Sequence, residues 1–189
     1  MWFINNASTD ANPKIEMPNR RMFLGGACAL AGSLMLAPEI AHAGVDRKLH
    51  MYNPHTHETF HSVIVENGKW VKESLREFDR FARDWRRGEQ KRINPKSIDI
   101  VLRIQGAMGA DQPMSLLSGY RSPATNRALR GTAAKSLHMS GLALDISQPG
   151  RSVSQLHRAA RACQSGGVGK YSRSGFVHID CGRVRYWGA

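Results

Sequence analysis

The sequence predicts a single domain that mixes α-helices and β-strands, and three observations support this. The chain has 189 residues, which is enough for one domain with a substantial core and short for two. Alternating apolar residues on both sides of an Asn67-Gly68 pair predict a β-hairpin near the start of the domain. Apolar residues then recur at helical spacing, and strand-like segments return towards the carboxyl end.

The amino-terminal residues have the pattern of an export signal. Arg20 and Arg21 precede an uncharged run and an Ala-His-Ala cleavage site at 41–43. The run of about 15 residues is shorter than the roughly 20 that a spanning helix needs, so we expect no stable membrane span after cleavage. The paired arginines resemble a twin-arginine signal, whose route carries folded proteins. We therefore expect residues 1–43 to be a signal peptide, cleaved or retained, and residues 44–189 to form one domain in the periplasm or cell envelope.

The protein is strongly basic, with 27 Lys and Arg against 15 Asp and Glu and a net charge of +12. Such a charge attracts polyanions, which could be nucleic acid or an anionic polymer of the cell envelope. It could also serve only to keep the protein soluble. Export disfavours nucleic acid as a partner and favours envelope polymers.

The first predicted strands lie within residues 49–71. The segments LHMYN, TFHSVIV and KWV read as two or three strands of a β-meander, and the Asn-Gly pair lies before the last of them. Several histidines fall here without acidic or cysteine partners at ligand spacing, so we expect exposed hairpin side chains rather than a metal site. They are His50, His55, His57 and His61.

Two helices are predicted after the hairpin. The first has an apolar stripe with spacings of three and four, formed by Leu75, Phe78, Phe81, Ala82 and Trp85. For the second helix, Asn94 and Pro95 supply a cap and a first-turn proline, and Gly109 lies near its end.

A buried strand and two further helices are predicted next. The segment PMSLLSGYRS reads as the strand, and Ser122 and Pro123 begin a short helix after it. Arg121 therefore lies where a strand meets a helix. A fourth helix begins near Val153 and ends before the glycine pair at 166–167, and the segment GFVHIDCG predicts the final strand.

Two cysteines follow the predicted signal, Cys163 and Cys181. In an oxidising compartment they could form a disulfide. A chain of this length can bury a core without one, so two separate thiols are an equal alternative.

Two predicted strands place reactive side chains on their polar faces. In GLALDIS, alternation directs Asp145 away from the packed apolar residues. In FVHID, His178 and Asp180 share one face. His138 precedes a glycine turn that permits its ring to approach Asp145 without requiring it.

If these strands pair with their polar faces aligned, two imidazoles and one carboxylate converge. Such a set binds Zn²⁺ and leaves a fourth position for water. Zinc would lower the pKa of that water to roughly 7 and polarise a substrate carbonyl, as a hydrolase requires. Spacing alone leaves a chance occurrence open.

Several segments together resemble a known enzyme family. They are the twin-arginine start, SGYRS, KSLHMSGLALDIS and GGVGKYSRSGFVHIDCGRVRYW. In content and order they resemble the zinc murein peptidases of the murein endopeptidase K type, within the D-alanyl-D-alanine metallopeptidases that include VanX-like and VanY-like enzymes. The resemblance covers nearly the whole mature chain. It implies an α+β fold shared with lysostaphin-type peptidases and the hedgehog signalling domain, with a central, mostly antiparallel sheet flanked by helices.

The resemblance also implies roles for individual residues. The zinc ligands that it implies are His138, Asp145 and His178. Arg121 matches the arginine that binds a substrate carbonyl or stabilises the oxyanion, the alternative being a surface salt bridge. Many relatives carry a glutamate or histidine base shortly before the last ligand, but residues 172–177 contain none. Asp180 is our candidate instead, either as the base or by holding a histidine ring through its second nitrogen.

We therefore expect a zinc-dependent peptidase that hydrolyses amide bonds in peptidoglycan stem peptides or cross-links through metal-activated water, with endopeptidase action preferred. The alternatives are a D-Ala-D-Ala-type carboxypeptidase and a non-catalytic, zinc-containing wall-binding protein, the latter motivated by the missing upstream base. A nucleic-acid binder would rest on basicity alone. The sequence leaves open the oligomeric state and the bond that is cleaved.

Overall fold

The computed structural model describes residues 45–109 and 112–188. The predicted signal peptide lies outside these residues. The described residues form one mixed sheet with α-helices packed against it, which confirms the α+β class.

The strands in chain order are β1 (Arg47–Tyr52), β2 (Thr59–Glu66), β3 (Lys69–Trp70), β4 (Met114–Ser118), β5 (Ala143–Ser147), β6 (Gly167–Tyr171), β7 (Phe176–Asp180) and β8 (Arg185–Trp187). The α-helices are α1 (Lys72–Phe81), α2 (Pro95–Met108), α3 (Pro123–Ala128) and α4 (Val153–Ala162), and a 3-10 helix covers Leu137–Ser140. The order across the sheet is β3-β2-β1-β4-β5-β7-β6-β8. Among these strands, only two pairs are parallel, β1 with β4 and β6 with β8. The sheet is therefore mostly antiparallel.

The predicted hairpin is present at one edge of the sheet. β2 and β3 pair antiparallel around Asn67 and Gly68, both of which have positive φ, as the Asn-Gly pattern predicts. The histidines of this region are exposed except for His50, which is half-buried. Among the described residues, none of them belongs to a group of three or more potential metal ligands.

The first helix is shorter than its apolar stripe predicts. Trp85 lies beyond α1 in a loop, where its ring stacks on His55 with 4.3 Å between centroids. The chain turns away here because the Ala82 carbonyl accepts a hydrogen bond from the Tyr120 N–H at 2.7 Å. Gly119 permits this approach, since a Cβ there would overlap Ala82. The loop after α1 is thereby held against the segment that joins β4 to α3.

The second helix has the predicted ends. Asn94 caps α2 by accepting a hydrogen bond from the Lys96 N–H at 2.9 Å, and Gly109 ends it in the left-handed conformation. The core includes fully buried side chains from the neighbouring strands β5 and β7, namely Leu144, Ile146, Val177 and Ile179. The opposite face of β5 and β7 is therefore available for polar side chains, as alternation predicts.

The sequence pattern does not predict β6 and β8. β6 begins with glycines, which weaken strand patterns, and it pairs antiparallel with β7 and parallel with β8. The glycines have a packing reason. A Cβ on Gly167 would overlap the guanidinium of Arg185, and a Cβ on Gly169 would overlap the ring of Trp187. These two β8 side chains therefore pass over β6 towards β7.

The two cysteines are free thiols in the structure. Cys163 is buried and Cys181 is half-buried. Burial raises the pKa of the Cys163 thiol, which keeps it protonated and unreactive. The alternative of two separate thiols is the one that the structure has.

Candidate metal centre

The candidate centre lies on the polar face of β5 and β7. Antiparallel pairing sets Asp145 directly opposite His178. Asp145 Oδ1 lies 2.9 Å from His178 Nδ1. The alignment of polar faces on which the sequence analysis depends is therefore present.

His138 reaches the same face from the 3-10 helix before β5. This helix ends at Gly141, which has a φ of 68° and leaves no room for a Cβ beside a backbone carbonyl. The buried His138 ring donates from Nδ1 to the Gly119 carbonyl at 2.8 Å. In the neutral ring, Nε2 then carries the lone pair, and it lies 3.2 Å from His178 Nδ1 and 3.3 Å from Asp145 Oδ1.

These three side chains fit a zinc ion by their donor chemistry. One potential ligand atom from each lies within 4.8 Å of the others. They form the only such cluster of His, Cys, Asp and Glu that residues 45–109 and 112–188 contain. Imidazole nitrogens and a carboxylate oxygen are ligands that zinc accepts, and three protein ligands are typical of catalytic zinc sites.

Asp180 is fully buried behind His178 rather than beside the other two predicted ligands. Its Oδ2 lies 3.1 Å from His178 Nε2 and accepts from Arg185 Nη2 at 2.7 Å. Its Oδ1 accepts from Arg185 Nη1 at 3.0 Å and from the backbone N–H groups of Gly167 at 3.2 Å and Gly182 at 2.9 Å. Protein donors therefore occupy both carboxylate oxygens.

The surroundings keep both carboxylates ionised. Burial raises the pKa of Asp145, but the facing rings of His138 and His178, when protonated, outweigh it through their charges and hydrogen bonds and hold that pKa well below its usual range. Burial also raises the pKa of Asp180, and hydrogen bonds from His178 and Arg185 lower it by more. For His178 the signs reverse, since burial lowers its pKa and the two carboxylates raise it, with a net rise. Each carboxylate thus presents negative charge at neutral pH.

Arg121 lies beside the centre and is 9% exposed. Its Nη2 is 3.5 Å from Asp145 Oδ2 and 3.4 Å from Ser118 Oγ, and its Nη1 donates to Asn126 Oδ1 at 3.3 Å. Its buried Nε has no hydrogen-bond partner among the described residues. A buried donor without a partner is costly, so this guanidinium retains capacity for a further acceptor. Because Arg121 is buried, the alternative of a surface salt bridge does not apply.

The last strand, β8, supplies two side chains beside the site, and the sequence pattern predicts no role for Arg185. Arg185 contacts Asp180, and the Trp187 ring centroid lies 5.3 Å from that of His178. Trp187 Nε1 donates to the exposed Tyr171 hydroxyl at 3.1 Å. Trp187 therefore lies beside the site rather than in the core. The available signal in the sequence was the pair of glycines at alternate positions of β6, Gly167 and Gly169.

A known protein family matches most of the chain. A family model described as peptidoglycan L,D-endopeptidase MepK, of the Peptidase_M15_2 type, matches residues 41–187. The chain belongs to the MepK family. This confirms the resemblance inferred from the motifs, and the matched range includes every predicted site residue.

Individual MepK proteins are similar over different shares of the chain. The peptidoglycan L,D-endopeptidase MepK of Escherichia coli strain K12 is 36% identical over 180 residues, covering 92% of this chain and 99% of that protein. The protein of the same name from Shigella flexneri has the same identity and coverage. A probable peptidoglycan L,D-endopeptidase MepK of Haemophilus influenzae is 33% identical over 118 residues, covering 60% of this chain and 63% of that protein.

Proposed function

We propose that the protein is a zinc-dependent endopeptidase that hydrolyses an amide bond in peptidoglycan stem peptides or their cross-links. The observation that carries the proposal is the convergence of His138, Asp145 and His178 in a chain of the MepK family. Relatives named as peptidoglycan L,D-endopeptidases support a peptidoglycan substrate and cleavage within its peptides.

We assign the zinc ligands by the atoms that face one another. They are His138 through Nε2, His178 through Nδ1 and Asp145 through its carboxylate. Zinc held there would supply Lewis acidity that polarises the scissile carbonyl and makes water nucleophilic near neutral pH. The protein's part is to orient the donors. The Gly119 carbonyl holds the His138 tautomer, and Asp180 faces His178 Nε2, so that Nδ1 is the nitrogen turned towards Asp145 and His138.

Arg121 is proposed as the group that stabilises the substrate carbonyl oxygen. Negative charge develops on this oxygen as water attacks, and a fixed cation already in place stabilises it without reorganising. The unpartnered Nε and the long bond to Asn126 leave Arg121 able to donate to such an oxygen. Its contact with Asp145 Oδ2 holds the guanidinium beside the centre.

For Asp180 we propose the positioning role rather than that of the general base. Its carboxylate is fully buried, and protein donors occupy both oxygens. A group in this state is poorly placed to take a proton from water. Its contact with His178 Nε2 suits the orientation of a ligand ring.

We also propose that residues 1–43 are a twin-arginine-type signal and that residues 44–189 act in the periplasm or cell envelope. The peptidoglycan substrate named for the relatives supports an envelope location. No helix within the described residues is both long and apolar enough to cross a bilayer. The mass of the protein recovered from the periplasm tests cleavage after Ala43.

We further propose that the sheet has the arrangement shared with lysostaphin-type peptidases and the hedgehog domain.

The activity is tested by incubating the purified protein with defined muropeptides, with and without a zinc chelator. One substrate is a dimer cross-linked through an L,D bond, another is a D,D-cross-linked dimer, and a third is a monomeric stem peptide ending in D-Ala-D-Ala. We expect chelator-sensitive cleavage of the L,D-cross-linked dimer, and mass spectrometry of the products identifies the bond. His138→Ala, which removes one ligand, should be inactive while remaining folded by circular dichroism.

The same experiment separates the alternatives. Release of D-alanine from the monomer, with intact dimers, would identify a carboxypeptidase. Intact substrates in the presence of zinc, together with binding to purified sacculi, would identify a non-catalytic wall-binding protein and contradict the proposal.

A further inference from the structure

Strand β8 brings the charged side chain of Arg185 to Asp180, behind the His178 ring of the candidate centre. β8 pairs in parallel with β6, and this register sets Arg185 beside Gly167. Gly167 in turn pairs with Asp180 on β7. Arg185 therefore reaches Asp180 across a strand position that has no side chain.

The contact between Arg185 and Asp180 is a two-point fork. Nη1 donates to Oδ1 at 3.0 Å and Nη2 donates to Oδ2 at 2.7 Å, while the carboxylate is fully buried. Parallel bonds of this kind determine the plane of both groups, which a single contact does not. The guanidinium is itself held by the Arg183 carbonyl at 3.2 Å and lies over the Trp187 ring, 4.9 Å from its centroid.

The plane of the Asp180 carboxylate determines which of its oxygens meets His178. Oδ2 accepts from Arg185 Nη2 and lies 3.1 Å from His178 Nε2. With Nε2 donating to this oxygen, Nδ1 carries the lone pair that faces His138 and Asp145. Without Arg185, the N–H groups of Gly167 and Gly182 would still hold Oδ1. Oδ2 would lose its charged donor, so the imidazole that faces it would be held less firmly in one tautomer and orientation.

We propose that Arg185 is a positioning residue that acts through Asp180 to hold the His178 ring in the orientation and tautomer needed for zinc binding. This inference rests on the proposed function, because it takes His178 to be a zinc ligand. Arg185 touches neither the three ligands nor the substrate in this account. Its effect is therefore on metal affinity.

The test compares the zinc affinities of metal-depleted full-length variants by competition with a chromogenic chelator. Arg185→Met should weaken zinc binding by about 10-fold to 100-fold, the usual loss when an outer hydrogen-bond partner is removed. Arg183→Met is the matched control. It removes one positive charge from an exposed side chain that lies two residues before Arg185. It should bind zinc within about twofold of the unmodified protein, since long-range charge effects are screened.

A second variant covers the case in which Arg185→Met does not fold. Arg185→Lys keeps the charge but presents a single point contact rather than a planar fork, so we expect an intermediate loss of affinity. Long-range ¹H–¹⁵N spectra of the zinc-free proteins, recorded at a pH high enough for the His178 ring to be neutral, report its tautomer directly. The Nε2-protonated form should dominate in the unmodified protein and in Arg183→Met, and a mixture should appear in both Arg185 variants.

The outcomes separate this inference from the proposed function. Failure of the unmodified protein to bind zinc would contradict the proposed function itself. If the unmodified protein binds zinc and Arg185→Lys, or folded Arg185→Met, binds it with the same affinity, the role of Arg185 is overturned. The proposed function is then left intact. An unchanged His178 tautomer in both variants would overturn it as well.

Discussion

At the scale of single residues, Asp145 links the two halves of the proposed chemistry. Its Oδ1 faces the rings of His138 and His178, and its Oδ2 faces Arg121. A carboxylate with one oxygen towards the metal ligands and the other towards the guanidinium sets their separation. The positions of Arg121 and of the metal ligands are therefore coupled through one buried side chain.

This arrangement predicts that Arg121 serves catalysis rather than zinc binding. Arg121→Lys keeps a positive charge but loses the rigid set of donors, so kcat should fall by about 10²-fold to 10³-fold, as when an oxyanion donor is removed. Zinc content should stay at the level of the unmodified protein. Steady-state kinetics and metal analysis check both, with Arg127→Lys on exposed α3 surface as the control. A kcat within a few-fold of normal would contradict the role.

The polar face that carries Asp145 and His178 could be predicted from the sequence, but the contact of Arg185 with Asp180 could not. Asp145 and His178 follow from strand alternation, which is local. The sequence permitted the approach of His138 without requiring it, because that approach depends on the turn at Gly141. The resemblance then implied its role as a ligand. The contact of Arg185 with Asp180 depends on the parallel pairing of β6 with β8, and no local sequence pattern predicts this pairing.

At the scale of elements, β6 requires residues without a side chain at two alternate positions, Gly167 and Gly169. Its glycines are needed because side chains from β8 occupy the space above them. This explains why a segment with poor strand propensity lies inside the sheet. It also makes β6 a sensitive place for small substitutions.

Gly169→Ala should therefore destabilise the protein. Its Cβ would overlap the indole ring of Trp187, and such overpacking costs about 1–3 kcal/mol. Gly106→Ala is the control, because this glycine lies in α2 with open space around it and should gain up to about 1 kcal/mol. Urea unfolding of both zinc-free proteins measures the difference. Equal free energies of unfolding would contradict the packing account of β6.

The loop after α1 depends on a buried carboxylate whose effect should vary with pH. Asp84 accepts hydrogen bonds from the backbone N–H groups of Ser122 at 2.9 Å and Arg86 at 3.1 Å. Burial raises its pKa, but hydrogen bonds from Thr125 and Ser122 outweigh this and lower it below its usual value. A lowered folded-state pKa gives stability that is present above about pH 4 and is lost as the pH falls through the folded value.

Asp84→Asn should therefore lower the free energy of unfolding at pH 7. The expected loss is about 1–3 kcal/mol, because the buried N–H groups that donate to the carboxylate would lose a charged acceptor. The difference from the unmodified protein should narrow below about pH 4, where the native carboxylate becomes protonated. Urea unfolding between pH 3 and pH 7 measures it. Parallel curves for the two proteins would show that this carboxylate does not contribute in its ionised form.

At the scale of the whole molecule, local periodicity accounts for what was predictable. The hairpin, the order of the helices and the polar face shared by β5 and β7 each follow from patterns within short segments. The early end of α1 was not predictable, because it depends on the distant Tyr120 N–H. The placement of β6 and β8 was likewise decided by packing between segments that lie apart in the chain.

The central claim is that one zinc ion is bound by side chains from the 3-10 helix, β5 and β7. The most direct measurement is anomalous diffraction at the zinc edge from crystals of the zinc-loaded protein. The account predicts one peak, about 2.0–2.2 Å from His138 Nε2, His178 Nδ1 and an Asp145 oxygen, with no fourth protein ligand. A peak that lacks any of these contacts, or a fourth side chain on the ion, would contradict it.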